Sequence, residues 1–438
     1  MFVHDVDLAR LELRDTIRKH MARNGLNQSE TAQRISVGRT GFTKAINGNH
    51  LFTVETLDKL MEVLGLEEGS LYPLFYGECV EQRTKTSSTI FIMDKFEKYL
   101  RRCLETGQIS LALELLNMLL EYDPKKLDFV FQVAESIFQQ AEKKYGSLPT
   151  YKESEYQQAL ALFDFYSQNE TDFHSDKLAI SYFRIYYMQR FNLSVSFEKL
   201  SILLTVIDRL PIREKIKAYD RVMTYYYISS DWVKTAHYAV ELEKLAKGVD
   251  EDTYGYCLMI KSFAKKELGH YEEAMQLTAM YSSIPGFENL AYGNGLMIRI
   301  EKGDLEHVDA YLDWLDTMTH IESGLSIVLR KLLHNSNFSK AKLVVERFYG
   351  KIRLEYGVIL YDKFGMRLQY SFALLHIGLQ EYTKGIEYLL LAAKKALHLN
   401  LFQEIGTMLY TYEQVRQFAT PEQQNTYLEI LINWKEGK

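Results

Sequence analysis

Arg39, Thr40, Thr43 and Lys44 follow one another on a short stretch of chain, with Gln28 ahead of them and Asn47, Asn49 and His50 behind. These residue types share one chemistry. The arginine is a planar fork of donors that can pair bidentately with a guanine edge. Hydroxyls, carboxamides, imidazole and ammonium groups reach base edges or phosphate oxygens. The local charge suits that use. Residues 8 to 50 carry eight basic side chains (Arg10, Arg14, Arg18, Lys19, Arg23, Arg34, Arg39, Lys44) against three acidic ones, Glu12, Asp15 and Glu30. Residues 51 to 81 reverse the balance, with seven acidic side chains against Lys59 alone. The whole chain has a formal net charge of −6, which argues against general adhesion to nucleic acid and for contact through one local face.

Such a face needs short helices to hold it. Leu13, Ile17 and Met21 recur at helical spacing and Gly25 ends that helix. Asn27 with Glu30 three residues on reads as a capping box for the next, whose inner face is Thr31, Ala32 and Ile35. Val37-Gly38 is read as the turn, Arg39 to Asn47 as a third helix with Phe42 and Ile46 inward, and Gly48 as its end. Thr53 caps a fourth, with Leu57, Leu60, Met61 and Leu64 buried and Gly65 at its close. Leu71, Tyr72, Leu74 and Phe75, broken by Pro73, predict a fifth.

Two helices joined by a short glycine-containing turn make a helix-turn-helix, and this segment resembles the Cro/repressor type of the xenobiotic-response-element (XRE) regulators. The resemblance rests on Gln28 opening the second helix, on Ser36-Val37-Gly38-Arg39-Thr40-Gly41-Phe42-Thr43 through the turn and reading helix, and on Gly48. Gly38 replaces a capping serine, Gly41 weakens the helix by roughly 1 kcal/mol relative to alanine, and Ile46 stands where the family usually carries glutamate. The resemblance implies a major-groove reading helix. Arg39 would read a base edge, Thr40, Thr43 and Lys44 would contact bases or phosphates, and Gln28 the backbone or an adjacent base. Asn47, Asn49 and His50 would hold phosphates.

At 438 residues the chain is long enough for more than one domain. Six prolines and the lack of period-two alternation predict an all-α protein. Cysteines 79, 103 and 257 have neither metal nor pairing logic and are expected to be reduced thiols. The early Asp5 and Asp7, and the lack of any apolar run of membrane length, lead us to expect a soluble, cytoplasmic protein with no membrane partner. There is no phosphate-binding glycine loop, His/Cys metal spacing or nucleophile motif, so neither an enzyme nor a cofactor is expected.

Beyond Glu81–Thr89, read as a polar linker, amphipathic helices follow with short gaps and repeat. The six residues beginning at Gly269 recur at Gly303 and, 33 residues on, at Ser336; looser copies begin at Gln380, Gly107 and Ser230. Each copy has a small or polar residue, a large apolar one two on, and usually a small one three further. That is a helical hairpin with an apolar wedge and a close helix contact, and a 33–34-residue period is that of tetratricopeptide repeats. Stacked hairpins of this kind give a right-handed α-superhelix with a concave binding face. The first helix of each hairpin should line it, through residues up to thirteen before the turn: Arg221, Thr224 and Tyr227, then Tyr256, Met259 and Phe263, then Asn294 and Met297, then Arg330. Of these, Arg221, Thr224, Tyr227, Tyr256, Asn294 and Arg330 are the candidate ligand contacts. Asn294, between Gly293 and Gly295, could bond an extended peptide backbone, and a groove carrying Arg and Tyr suits a carboxylate.

The combination resembles the RRNPP family of peptide-pheromone-responsive regulators. That resemblance implies a DNA-binding domain (1–80), a linker (81–93) and a repeat domain (94–438) that binds a short signalling peptide and dimerises. The partners implied are a double-stranded DNA operator, the peptide and a second copy of the chain. Two other readings stand beside it: a DNA-binding regulator whose repeats serve only dimerisation or protein contact, and a Rap-like dual regulator acting on a response regulator, with Gln139, Gln140 or Gln157 aimed at a phospho-aspartate.

Overall fold

The computed structural model describes residues 6–83, 88–146, 153–354 and 358–436. Among these the chain is all-α apart from one two-stranded ribbon, and it divides into two compact units meeting in sequence at Gln189 and Arg190.

The first unit opens with α1 (Val6–Arg23), α2 (Gln28–Arg34), α3 (Arg39–Ile46) and α4 (Val54–Leu64). The expected caps are present. Asn27 Oδ1 accepts from the Glu30 amide at 2.9 Å, and Glu30 Oε2 accepts from the Asn27 amide at 3.0 Å. The Thr53 hydroxyl accepts from the Thr56 amide at 3.3 Å. Leu13, Ile17, Met21, Ile35, Phe42, Ile46, Leu57 and Leu60 are buried together, as their spacing requires. In the α2–α3 turn the left-handed residue is Ser36, at φ 56°, and Gly38 stands at the N-cap of α3 with extended backbone and no side-chain cap.

The fifth helix is a 3-10 turn, Tyr72–Cys79, and not an α-helix. Pro73 lies in its first turn, and Tyr72, Phe75, Tyr76 and Cys79 are buried, close to the three-residue period of that helix. Gly77 lies so close to α1 that a Cβ there would sit 2.9 Å from the Val6 carbonyl oxygen. The segment expected as a linker forms β1 (Val80–Arg83) and β2 (Ser88–Phe91), antiparallel, with Val80 opposite Phe91. Residues 84–87 of that segment lie outside the described residues.

Helix α5 (Met93–Glu105) then packs on the amino-terminal bundle. Arg102 Nε donates to Asp58 at 2.9 Å, the Tyr72 hydroxyl donates to the same carboxylate at 2.6 Å, and the Tyr99 hydroxyl donates to the Tyr72 carbonyl. These bonds join the first repeat hairpin to the bundle, so the compact division falls beyond α6 (Ile109–Tyr122), α7 (Leu127–Tyr145), α8 (Ser154–Asn169) and α9 (Asp176–Gln189), not at residue 80.

The second unit contains α10 (Ser196–Val206), α11 (Ile212–Ile228), α12 (Trp232–Ala246), α13 (Glu251–Glu267) and α14 (Tyr271–Tyr281). It continues with α15 (Glu288–Lys302), α16 (Val308–Leu315), α17 (Glu322–His334) and α18 (Phe338–Phe348), then α19 (Ile359–Gly378), α20 (Tyr382–His398), α21 (Phe402–Val415) and α22 (Pro421–Glu436). Consecutive helices from α11 to α20 pair as hairpins, α22 packs on α20, and first helices stack on first helices, as α15 on α17 and α17 on α19. All six turn residues of the repeat motif have left-handed backbone: Gly107, Ser230, Gly269, Gly303, Ser336 and Gln380. The residue five positions later is buried in every copy (Ala112, Thr235, Ala274, Val308, Ala341, Gly385) and is small in all but Val308, which lets the two helices of a hairpin touch. No described helix is long and apolar enough to cross a membrane.

Candidate nucleic-acid face and ligand groove

Helix α3 is held from behind by arginines. Arg14 is buried: Nε donates to the Ala45 carbonyl at 2.9 Å, Nη2 to that of His50 at 3.1 Å, and Nη1 to Glu78 Oε1 at 2.6 Å. Arg18 Nη2 donates to the Ile46 carbonyl at 2.6 Å. These bonds satisfy carbonyls that the end of a helix leaves open, with cations where the helix dipole favours them. Glu78 Oε2 also accepts from the Phe52 amide at 2.5 Å, and Lys95 of α5 donates to the Phe52 carbonyl at 3.2 Å. The structure thereby corrects the basic surface. Arg14 is internal and Arg10 donates to the Gly77 carbonyl at 2.9 Å, so neither belongs to the open face. The exposed cations are Arg18, Lys19, Arg23, Arg34, Arg39 and Lys44.

The opposite side of α3 is open. Arg39, Thr40, Lys44, Asn47, Asn49 and His50 are exposed, and Gln28 and Thr43 half-exposed. Their side chains form no hydrogen bond or ion pair among the described residues. The structure therefore gathers all eight sequence-derived candidates on and around the α2–α3 unit with their polar groups uncommitted. No Cβ at Gly38 or Gly41 would meet an atom within 4 Å, which leaves this strip of the helix surface bare.

The ligand candidates divide. Arg221, Thr224 and Tyr256 form one half-buried group. Arg221 lies 3.3 Å from Asp220, and burial pushes the Tyr256 hydroxyl up to about 12 even though it hydrogen-bonds Thr224. Tyr227 and Arg330 belong to a second group near the hairpin turns. Asn294 joins neither: it is 6 % exposed, and Nδ2 donates to the Tyr281 hydroxyl at 2.9 Å. Its neighbour Gly293 is glycine for packing, since a Cβ would come within 2.2 Å of the Trp314 ring. The flanking glycines reflect helix contact on one side only, and the amide expected to meet a peptide already has a partner on α14, in the preceding hairpin.

The second group is a network that the sequence reading missed. Lys266 lies 2.7 Å from Glu267 and 3.6 Å from Glu301, and Glu301 also meets Lys331 at 3.5 Å and Arg330 at 3.9 Å. Arg367 meets Glu404 at 3.4 Å. Lys363, fully buried, donates to the Tyr227 carbonyl at 2.7 Å, with its Nζ 5.0 Å from the Trp232 ring centre. Burial raises the Glu267 carboxyl, but Lys266, Arg367 and Arg330 outweigh it and hold it down at about 2. Burial, with Arg367 beside it, pushes the Lys363 ammonium well below its ordinary value. The available signal was Lys363 and Arg367 at i and i+4 of the largely apolar α19. The network also lies one turn nearer the hairpin turns than the expected lining, because Lys266, Glu267 and Glu301 come from the last turns of α13 and α15.

A cavity of about 40 Å³ opens beside this network, with Phe263, Met297 and Ile327 as its apolar side and Lys266, Glu267 and Arg367 as its charged one. Gln139, Gln140 and Gln157 are exposed on α7 and α8, and Gln140 borders a polar groove with Lys144 and Glu155. Cys79, Cys103 and Cys257 are buried free thiols. One group of metal-capable side chains occurs among the described residues, Asp304, Glu306 and His307, where His307 pairs with Asp304 at 3.1 Å.

No protein-family model matches the chain, and no curated protein matches it. A similar solved structure is that of NprR in complex with its cognate peptide NprX, at 17 % identity and a TM-score of 0.42, covering 70 % of this chain and 88 % of that one.

Proposed function

We propose that the protein is a sequence-specific DNA-binding transcriptional regulator whose repeat domain binds a short signalling peptide and thereby controls operator affinity. The observation that carries the reading is the α3 face: eight polar side chains without partners among the described residues, on and around a helix fixed from behind at its carboxyl end. An exposed helix carrying Arg39 and Lys44, bare at Gly38 and Gly41, suits close approach to a major groove. The resemblance of the helix-turn-helix and repeats to the XRE and RRNPP families supports the same reading and implies a cytoplasmic homodimer. Leu428 and Ile432, exposed one turn apart on α22, are apolar surface that a second copy would cover.

The charged network supports the peptide half of the proposal. Half-buried ion pairs beside a cavity with one apolar and one charged wall fit recognition of a short polar ligand. Selection of bound sequences from a random duplex pool by the full chain tests DNA reading; recovery of no enriched motif would overturn it. Calorimetry with peptides encoded beside the gene tests the ligand half. Neither heat nor a change in operator affinity would leave the repeats as a dimerisation or protein-contact element.

A further inference from the structure

Within the second unit, the first hairpin of the repeat series is tied to the last ones by polar contacts. Ser230, the left-handed residue of the α11–α12 turn, donates to Glu404 of α21 at 2.8 Å. Arg367 of α19 reaches both Ser230 and Glu404, but only at 3.4 Å. Lys363, one turn earlier on α19, has three ammonium donors and no exposure. Its single hydrogen bond goes to the Tyr227 carbonyl, and no carboxylate lies within salt-bridge reach of it among the described residues. The aromatic faces of Tyr227 and Trp232 stand 5.4 and 5.0 Å from its nitrogen. A buried cation balanced only by a carbonyl and two rings is under-compensated, because desolvation of an ion is offset fully only by a well-placed counter-charge. The wider network has the same imbalance: five cations (Lys266, Arg330, Lys331, Lys363, Arg367) face three carboxylates (Glu267, Glu301, Glu404).

We propose that Lys363 and Arg367 form the receiving site for a ligand carboxylate, and that Glu404 is the internal carboxylate this group displaces. Incoming carboxylate oxygens would take the free donors of Lys363 and the weakly held fork of Arg367. Glu404 would then leave Arg367, and its bond to Ser230 would go with it, loosening the α11–α12 turn from α21. The apolar wall of Phe263, Met297 and Ile327 asks for a small apolar group next to the carboxylate. The inference rests on the reading of the repeats as ligand-binding and adds to it the chemical class of the group recognised and the contact it releases.

The test uses the full chain and three synthetic probes at millimolar concentration. These are acetyl-Ala-Leu-Leu with a free carboxyl terminus, the same peptide amidated, and acetyl-Ala-Asp-Leu amidated. Trp232 emission, identified by its loss in Trp232→Phe, is the readout. A response to the first probe alone assigns the site to a chain terminus, and a response to the third alone assigns it to an acidic side chain. Responses to both acids but not the amide support the shared chemistry. Lys363→Met, which replaces a buried ammonium with an apolar group of similar length, should fold and lose the response at least tenfold. Glu404→Gln, with the internal competitor removed, should bind the responding probe several-fold tighter and speed amide exchange at residues 229–232. Equal response to acid and amide, or full response in Lys363→Met, would overturn the inference while leaving ligand binding intact. Silence from all three probes would overturn the inference and the ligand-binding reading of this groove together.

Discussion

The guanidinium of Arg14 lies 2.6 Å from the carboxylate of Glu78, with the two side chains 4 % and 0 % exposed. Sixty-four residues separate them in sequence, yet together they hold the end of α3, the loop that follows it and the 3-10 segment leading toward the repeats. In the family that the helix-turn-helix resembles, a glutamate usually stands where this chain has Ile46; here a buried carboxylate arrives from outside the four-helix bundle. A fragment ending near residue 65 would lack it, so residues 66–80 are part of the folding unit.

Glu78→Gln leaves Arg14 buried beside a neutral amide. Breaking a buried pair from one side costs about 3 kcal/mol or more. We expect the urea midpoint of the first unit to fall accordingly, with operator affinity falling alongside. A midpoint unchanged within error would show that the pair does not hold α3.

Arg39→Ala removes an exposed side chain with no partner among the described residues, so stability should change by less than about 0.5 kcal/mol. Specific operator binding should be lost while weak non-specific binding persists. Lys44→Ala should weaken binding to all sequences alike and lower the salt slope by about one. Retained specificity in Arg39→Ala, measured by mobility shift against a scrambled duplex, would mean that the reading helix is not α3.

Glu267 supplies a pH dependence with a definite sign. Its carboxyl is held down at about 2 in the folded chain against an ordinary value of 4.5. A depressed folded value contributes stability above the ordinary value and loses it as pH falls through the window toward 2. Thermal midpoints should therefore decline from about pH 4.5 downward, and Glu267→Gln should flatten that limb while lowering stability at neutral pH. An identical acid limb in the variant would remove Glu267 as its source.

The two glycines beside Asn294 should behave oppositely. Gly293→Ala drives a methyl to 2.2 Å from the Trp314 ring and should destabilise by about 2 kcal/mol or more. Gly295→Ala meets only the flexible end of Met275 at 4.0 Å and should stabilise by roughly 0.5–1 kcal/mol through helix propensity. Calorimetric melting of the two variants distinguishes them directly.

Asn294→Ala and Tyr281→Phe each remove one end of a buried 2.9 Å hydrogen bond, and each should cost about 1–2 kcal/mol. The double variant should cost clearly less than the sum of the two. Strict additivity, with a weakened peptide response in Asn294→Ala alone, would return the asparagine to the ligand.

The features legible in the sequence are those set within a few residues along the chain. The Asn27–Glu30 box, the Thr53 cap and the buried stripes of α1 and α4 follow from contacts at i+3 and i+4. So do the turn positions at Ser230, Ser336 and Gln380, which adopt left-handed backbone although none is glycine. The open face of α3 was equally legible, because residues that face away from a small apolar core need no distant partner to be placed. The Tyr72–Cys79 segment was misjudged because its geometry answers to α1 packed against Gly77, a contact that no local pattern records.

Charge was decided by tertiary structure. Arg10 and Arg14 carry the same side chain as Arg39, and only the fold turns two of them into internal ties and leaves the third open. Lys363 becomes a buried, under-paired cation only because α19 meets the end of α11, 136 residues earlier. An ion's energy depends on its desolvation and on counter-charges within a few ångströms, and both come from chain segments remote in sequence. By itself the sequence therefore determined the helices, their turns and the polar face of α3; the three-dimensional packing alone decided which charges stay in water and which are left waiting for a partner.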